Sequence, residues 1–337
     1  MSARSSHVAP SPRALSALTL AELPLDSGDV MRHVRMAYHL DGELSPQRDN
    51  VVLVLHALTG SADAAGDWWR GLIGPAAAVN TDHWAVLSPN LIGSCYGSTG
   101  PDGDTSAFPA LTVRDVARAV ALLVEKLEIR RVVLVTGGSL GGMVALEYAA
   151  SFPGSAERAL IFAAPAALGA GAIAWSHLQR RALAVGGTEG LEIARAIAML
   201  SYRTPQELGE RFTRARALGG EFAVQSWLDA HGRRLAARMS PTTYRTLIDI
   251  MDTHDVSAAR GGTGERLRAS GTQFTGVGIS GDLFCPPSEV RAWTTHAGGE
   301  YAEIASVHGH DAFLIEREQV GALLRAALPS RTAAEVA

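Results

Sequence analysis

Residues 131–150 read Arg131-Val132-Val133-Leu134-Val135-Thr136-Gly137-Gly138-Ser139-Leu140-Gly141-Gly142-Met143-Val144-Ala145-Leu146-Glu147-Tyr148-Ala149-Ala150. The unbroken apolar run from Arg131 to Thr136, rich in β-branched residues, is the pattern of a strand buried on both faces. A helical stretch runs from Met143 to Ala150, and between the two lies G-x-S-x-G at 137–141. Placed between a strand and a helix, that motif is a sharp turn carrying a serine at its apex. Such a turn holds Ser139 at unusual backbone angles. Its flanking glycines are needed because side chains there would collide with the neighbouring strand and helix. Ser139 then stands at a helix N-terminus, where free N–H groups favour negative charge, and the amide of Leu140 is a candidate oxyanion donor. A phosphate-binding loop is excluded, because there is no G-K-[ST] and no suitably placed acid after a following strand.

Working outward, Val51 to Leu55 and Trp84 to Leu87 repeat the buried-strand signal. A helix follows, capped by Thr112 with Asp115 three residues on, and Val113, Val116, Ala117, Val120, Val124 and Leu127 share one face. Strand, helix, strand is the signature of a parallel sheet. From about Ala166 to Asp255 the chain instead reads as several helices, with breaks at Gly186–Gly187, Gly219–Gly220 and Pro241. Strand patterns resume at Gln273–Ser280 and Glu300–Ser306, and Gln319–Leu328 reads as a closing helix. The expected architecture is α/β: a mostly parallel central sheet flanked by helices, with an inserted helical lid domain. Residues 31–165 and 265–337 form the predicted core and 166–264 the insertion, while 1–30 read as a loosely ordered lead-in.

Bulk properties agree with a globular enzyme. The chain has 337 residues, 47% of them hydrophobic, enough for a large core. A net charge of −4 leaves no basic footprint for nucleic acid, and Arg211, Arg214 and Arg216 read as a solvated helix face. Two cysteines, Cys95 and Cys285, with no Cys/His cluster argue against a disulfide scaffold and a structural metal. Ala14–Leu25 is too short and too interrupted for a signal peptide or a membrane span, so no membrane association and a cytoplasmic address are expected.

A serine hydroxyl needs a base to take its proton, and the base needs an orienting acid. In a sheet of this kind these groups follow later strands in the order Ser, Asp, His. Gln273–Ser280 ends at Gly281-Asp282, which makes Asp282 the candidate acid; capping the turn before Pro286-Pro287 is its alternative role. Glu300–Ser306 leads into Val307-His308-Gly309-His310-Asp311, and spacing alone does not choose between His308 and His310. His310, followed by Asp311 and the apolar Ala312-Phe313-Leu314-Ile315, is better placed at a loop-to-helix junction. A second oxyanion donor is expected in His56-Ala57-Leu58-Thr59-Gly60, with the Leu58 amide as candidate and His56 as a brace. His33, His39, His83 and His254 read as structural or surface residues.

With these stretches in view, the chain resembles the homoserine O-acetyltransferase family of the α/β-hydrolase fold. The resemblance rests on His56–Gly60, Asp67-Trp68-Trp69, Gly71–Gly74, Asn90–Pro101, Gly137–Gly142 and Leu200–Arg203. It continues through Ser226–Asp229, Met251–Asp255 and Gly309–Leu314. It implies ping-pong transfer: Ser139 takes acetyl from acetyl-CoA and passes it to the hydroxyl of L-homoserine, a step toward methionine. It further implies His310 as the base, no permanently bound cofactor, and a homodimer through the helical insertion. The family's amino-acid-binding residues carry over to Arg195, Tyr202 and Asp311. Arg195 and Tyr202, seven apart, face the same way on a stripe shared with Leu191, Ala198 and Met199. A structural ion pair is the alternative for Arg195, and a helix N-cap for Asp311. The stretches Pro101–Pro109 and Ala166–Leu191 are shorter than in many relatives, and Gly97-Ser98-Thr99-Gly100 replaces Gly-Thr-Thr-Gly. Succinyl transfer, a serine acceptor and, more distantly, a carboxylesterase are therefore the rival readings.

Overall fold

The computed structural model describes residues 14–101, 108–258 and 261–329. Eight strands form the main sheet: β1 (Ser16–Pro24), β2 (Val30–Asp41), β3 (Val51–Leu55), β6 (Ala85–Pro89), β7 (Val132–Gly138), β8 (Arg158–Phe162), β9 (Gln273–Ile279) and β10 (Glu300–Ile304). The short β4 (Ile73–Gly74) and β5 (Val79–Asn80) pair separately. The spatial order is β1-β2-β6-β3-β7-β8-β9-β10, with β1–β2 and β2–β6 antiparallel and the remaining pairs parallel. Every residue of β3, β6 and β7 is buried, as continuous apolar runs covered on both faces require.

Two helices brace the sheet's centre. In α1 (Val113–Lys126), Thr112 Oγ1 accepts from the Asp115 amide while Asp115 accepts from the Thr112 amide, the reciprocal cap expected from sequence. The helix α2 (Leu140–Ser151) is apolar on every side and, accordingly, buried from Leu140 to Ala150.

Between β8 and β9 run α3 (Ala170–Tyr202), α4 (Pro205–Phe212), α5 (Ala223–Ala236), α6 (Pro241–Asp252) and α7 (Thr263–Ala269). The expected break at Gly187 is a kink inside α3, where that glycine takes φ 53° and ψ −119°. Pro241 opens α6 at its first turn, where its missing N–H costs nothing. The two ends of this helical region are clasped. Val256 N donates to Ala166 O at 2.9 Å, Leu168 N to His254 O at 2.9 Å, and His254 Nε2 lies 2.8 Å from Pro165 O. The chain finishes with α8 (Pro287–Ala297), α9 (Ala312–Ile315) and α10 (Arg317–Ala327).

The lead-in reading needs correction for the part that is described; residues 1–13 lie outside it. Ser16–Pro24 is a regular strand whose backbone pairs with β2 from Ser16–Tyr38 to Pro24–Val30. Only Leu20 and Leu23 within it are buried, which is why its period-two signal is faint. Strands β2 and β8 are also additions to the sequence reading; β2 buries scattered positions such as Val34, Met36 and Ala37. Most of the shortened stretch 101–109 lies outside the described residues. Among the described residues no helix is long and apolar enough to cross a membrane.

Candidate active site

The turn between β7 and α2 holds Ser139 at φ 56° and ψ −126°, a left-sided conformation that a non-glycine residue adopts only under constraint. Packing supplies the constraint. A Cβ added to Gly141 would lie 2.1 Å from Leu55 O, so α2 begins directly against the end of β3. One added to Gly138 would lie 2.5 Å from the Phe313 ring. Ser139 N donates to Phe162 O at 3.0 Å, and its side chain is held at the helix start with 4% of the residue exposed.

Close contact of α2 with the end of β3 sets the Leu140 amide beside the loop 56–60. Leu140 opens the helix, so its N–H has no acceptor within it. Leu58, also buried, stands in a turn closed by Gly60 N donating to Ala57 O. His56 braces that turn: Leu91 N donates to its Nε2 at 3.0 Å, and its Nδ1 lies 2.8 Å from Ala57 O. Burial pushes His56 down to about 4, so it stays a neutral strut. Asn90, just past β6, ties the neighbouring loops together by accepting from Ala62 N at 2.6 Å and donating to Tyr96 O.

Asp282 and His310 meet at the ends of β9 and β10. Asp282 Oδ1 accepts from the amides of Phe284 and Cys285, each at 2.8 Å, and Oδ2 accepts from His310 Nδ1 at 2.7 Å. A carboxylate at Nδ1 fixes the ring proton there and leaves Nε2 with its lone pair. His310 is 2% exposed, and its Nε2 is buried with no hydrogen-bond partner, so none joins it to Ser139 Oγ in this structure. The nucleophile's turn and the histidine share a wall, since Phe313 packs on Gly138 and stands 6.0 Å from the His310 ring. Tyr202 and Phe284 flank the same ring at 5.2 Å and 5.1 Å. Burial opposes charge on His310, but the Asp282 carboxylate outweighs it, helped by Asp311, and the net shift is upward. His308, the other candidate, points instead to Glu207, its Nδ1 3.2 Å from Oε1.

Arg195 projects from α3 among the buried Leu191, Ala194, Ala198 and Met199, with its guanidinium 5.7 Å from the Tyr202 ring. Among the described residues it forms no ion pair, so the structural salt bridge foreseen as its alternative is absent. Burial raises Tyr202 well above the usual phenol range and pushes Tyr244 up to about 12, in the second case against the pull of Arg195. Tyr244, which sequence reasoning did not single out, is fully buried and donates to Gln179 Oε1 at 2.5 Å. Asp311 occupies the N-cap position of α9 but makes no side-chain capping bond there; it accepts from Arg203 Nε at 3.1 Å. Arg203, Glu207, Phe284 and Phe313 were likewise not foreseen. Arg203 and Phe313 do fall in the quoted stretches Leu200–Arg203 and Gly309–Leu314, whereas only proximity in the fold marks Glu207 and Phe284.

A buried base, nucleophile elbow and acid arranged in this way suit acyl chemistry through a serine ester. Residues 50–229 match the family model described as "alpha/beta hydrolase fold". A homoserine O-acetyltransferase of Thermus thermophilus is 41% identical over 341 residues, covering 90% of this chain and 88% of that protein. The crystal structure of a homoserine O-acetyltransferase from Staphylococcus aureus superposes with a TM-score of 0.82 at 29% identity, covering 95% of this chain and 96% of that one. Esterase E22 superposes equally well, with a TM-score of 0.84, covering 94% of this chain and 100% of that one, but at 18% identity it shares the fold alone. Sequence likeness across nine-tenths of the chain, not the shape of the sheet, is therefore what separates these two, and by it the chain belongs to the homoserine O-acetyltransferase family of α/β-hydrolase-fold enzymes.

Proposed function

We propose that this enzyme transfers an acetyl group from acetyl-CoA to the side-chain hydroxyl of L-homoserine through an acyl-Ser139 intermediate. The observation that carries the reading is the Nε2 of His310, buried and unpartnered, on a ring whose Nδ1 lies 2.7 Å from Asp282 Oδ2. In the first half-reaction His310 takes the Ser139 proton as Oγ attacks the thioester carbonyl, and the amides of Leu58 and Leu140 receive the oxyanion. Collapse expels the CoA thiolate, which takes the proton from His310. In the second half the homoserine hydroxyl, deprotonated by His310, attacks the acyl carbon and restores Ser139.

The acceptor's carboxylate fits Arg195 and Tyr202, and its ammonium fits Asp311. An arginine without an ion-pair partner on an apolar helix face gains more from a ligand carboxylate than from water. Several arginines cluster on the insertion: burial first, then Arg234, Arg195, Arg203 and Arg211 hold His231 down to about 4. Their charge favours an anionic donor such as acetyl-CoA. Exposed apolar residues on the same insertion, including Leu178, Val185, Ile193 and Leu218, support association of two copies through it.

Mixing the enzyme with acetyl-CoA alone and weighing it intact tests the central claim. The parent gains one acetyl group and Ser139→Ala gains none. A Ser139→Ala protein that still acquires the label overturns the assignment.

A further inference from the structure

The corner joining α3 to α4 touches both loops that carry the Asp282–His310 pair. A Cβ on Gly281 would lie 3.0 Å from Thr204 Cγ2, and one on Gly309 would lie 3.2 Å from the same methyl. Both glycines have positive φ, 72° and 63°, so Thr204 wedges between two turns that only glycine makes comfortably. Thr204 Oγ1 also donates to Val307 O at 2.5 Å and accepts from Glu207 N at 3.0 Å. From this fixed corner Arg203 reaches in two directions. Its Nη1 donates to Glu207, 2.8 Å from Oε1 and 3.2 Å from Oε2, and its Nε and Nη2 both lie 3.1 Å from Asp311 Oδ2. All three side chains are largely buried, at 11%, 6% and 15% exposure for Arg203, Glu207 and Asp311. Among the described residues no hydrogen bond reaches Asp311 Oδ1.

We propose that Arg203 is a positioning residue for the acceptor amine: it grips one carboxylate oxygen of Asp311 and leaves the other to receive the acceptor's ammonium group. This rests on the acyl-transfer reading given above. One arginine facing one carboxylate would cancel the charge that an ammonium seeks. Glu207 offsets this by drawing on the same guanidinium, although Arg211 Nη1 at 3.5 Å and His308 Nδ1 at 3.2 Å also face it, while the guanidinium's planar fork fixes the Asp311 carboxyl plane. Arg203 therefore acts on the second half-reaction and not the first, since acetyl-CoA offers no ammonium to Asp311.

The two halves are measured separately in Arg203→Lys and in the double variant Arg203→Met/Glu207→Gln, which removes the Arg203–Glu207 pair as a unit if the single change folds poorly. Acylation is followed by CoA release in the absence of acceptor, and transfer by product formation across homoserine concentrations. With the pairing lost, KM for homoserine rises about tenfold or more, the usual worth of a charge-assisted hydrogen bond, while acylation stays near the parent rate. The parent's preference for homoserine over 4-hydroxybutanoate, the same acceptor without its amine, shrinks in parallel. Acylation and transfer falling together, or an unchanged preference between the two acceptors, overturns the proposal and leaves Arg203 a structural brace. A parent enzyme that acquires no acetyl from acetyl-CoA overturns the acyl-transfer reading itself.

Discussion

His310 feels two opposed influences whose balance sets the pH dependence of the reaction. Burial disfavours the imidazolium, and the Asp282 carboxylate at 2.7 Å favours it more, so the group titrates above its ordinary value of 6.5. Only the neutral ring accepts a proton at Nε2. Acylation therefore falls as pH drops through the His310 titration, with the midpoint of that acid limb above 6.5. In Asp282→Asn the favourable charge is gone while burial stays, so the limb moves to lower pH. The amide also supports the wrong tautomer, and the plateau falls by about ten-thousandfold. Rates of CoA release measured from pH 5 to 9, a range chosen to span the histidine titration, decide this; a midpoint that does not move with the substitution excludes Asp282 as the orienting acid. At this scale the sequence was informative where chemistry and spacing coincide. Ser139, Asp282 and His310 each follow a strand end, which is a local signal. The rivalry of His308 with His310 was not resolvable by spacing, because the deciding contact, His308 to Glu207, spans 101 positions of the chain and two intervening strands.

Among the elements, the approach of α2 to β3 determines whether the nucleophile is presented at all. Gly141 lies on the first turn of α2, and a methyl there meets the carbonyl oxygen of Leu55 at 2.1 Å, an atom fixed by the sheet. Gly141→Ala must push the helix outward, and overpacking against backbone costs about 3 kcal/mol or more. The expected result is a urea midpoint well below the parent's, with acylation lost in whatever protein remains folded. A variant of parental stability and activity would show that the contact is slack. Periodicity exposed α1 and its cap, and the buried runs exposed β3, β6, β7, β9 and β10, because each signal is local and strong. It missed β1, whose two buried side chains give little alternation, whereas the expected break at Gly186–Gly187 is present as the kink in α3.

For the molecule as a whole, the surface of the insertion is the part that its own sheet does not explain. Leu178 and Val185 lie two turns apart on α3 before its kink, and Ile193 and Leu200 two turns apart after it, all of them exposed. Association through this face predicts a dimer by light scattering in the micromolar range, and Leu178→Glu together with Val185→Glu predicts a monomer that still binds acetyl covalently. A monomeric parent at those concentrations removes the case for a dimer. The clasp at the root of the insertion carries a different consequence. Ala166 and Val256 are a hydrogen bond apart, so some ninety residues depart from the scaffold and rejoin it at one point. Changes of length or content between those points close the same small gate and need not strain the strands that carry Ser139, Asp282 and His310. Apart from the Tyr202–Thr204 corner that packs on the catalytic loops, the insertion can thus vary while the scaffold beneath it is inherited unchanged.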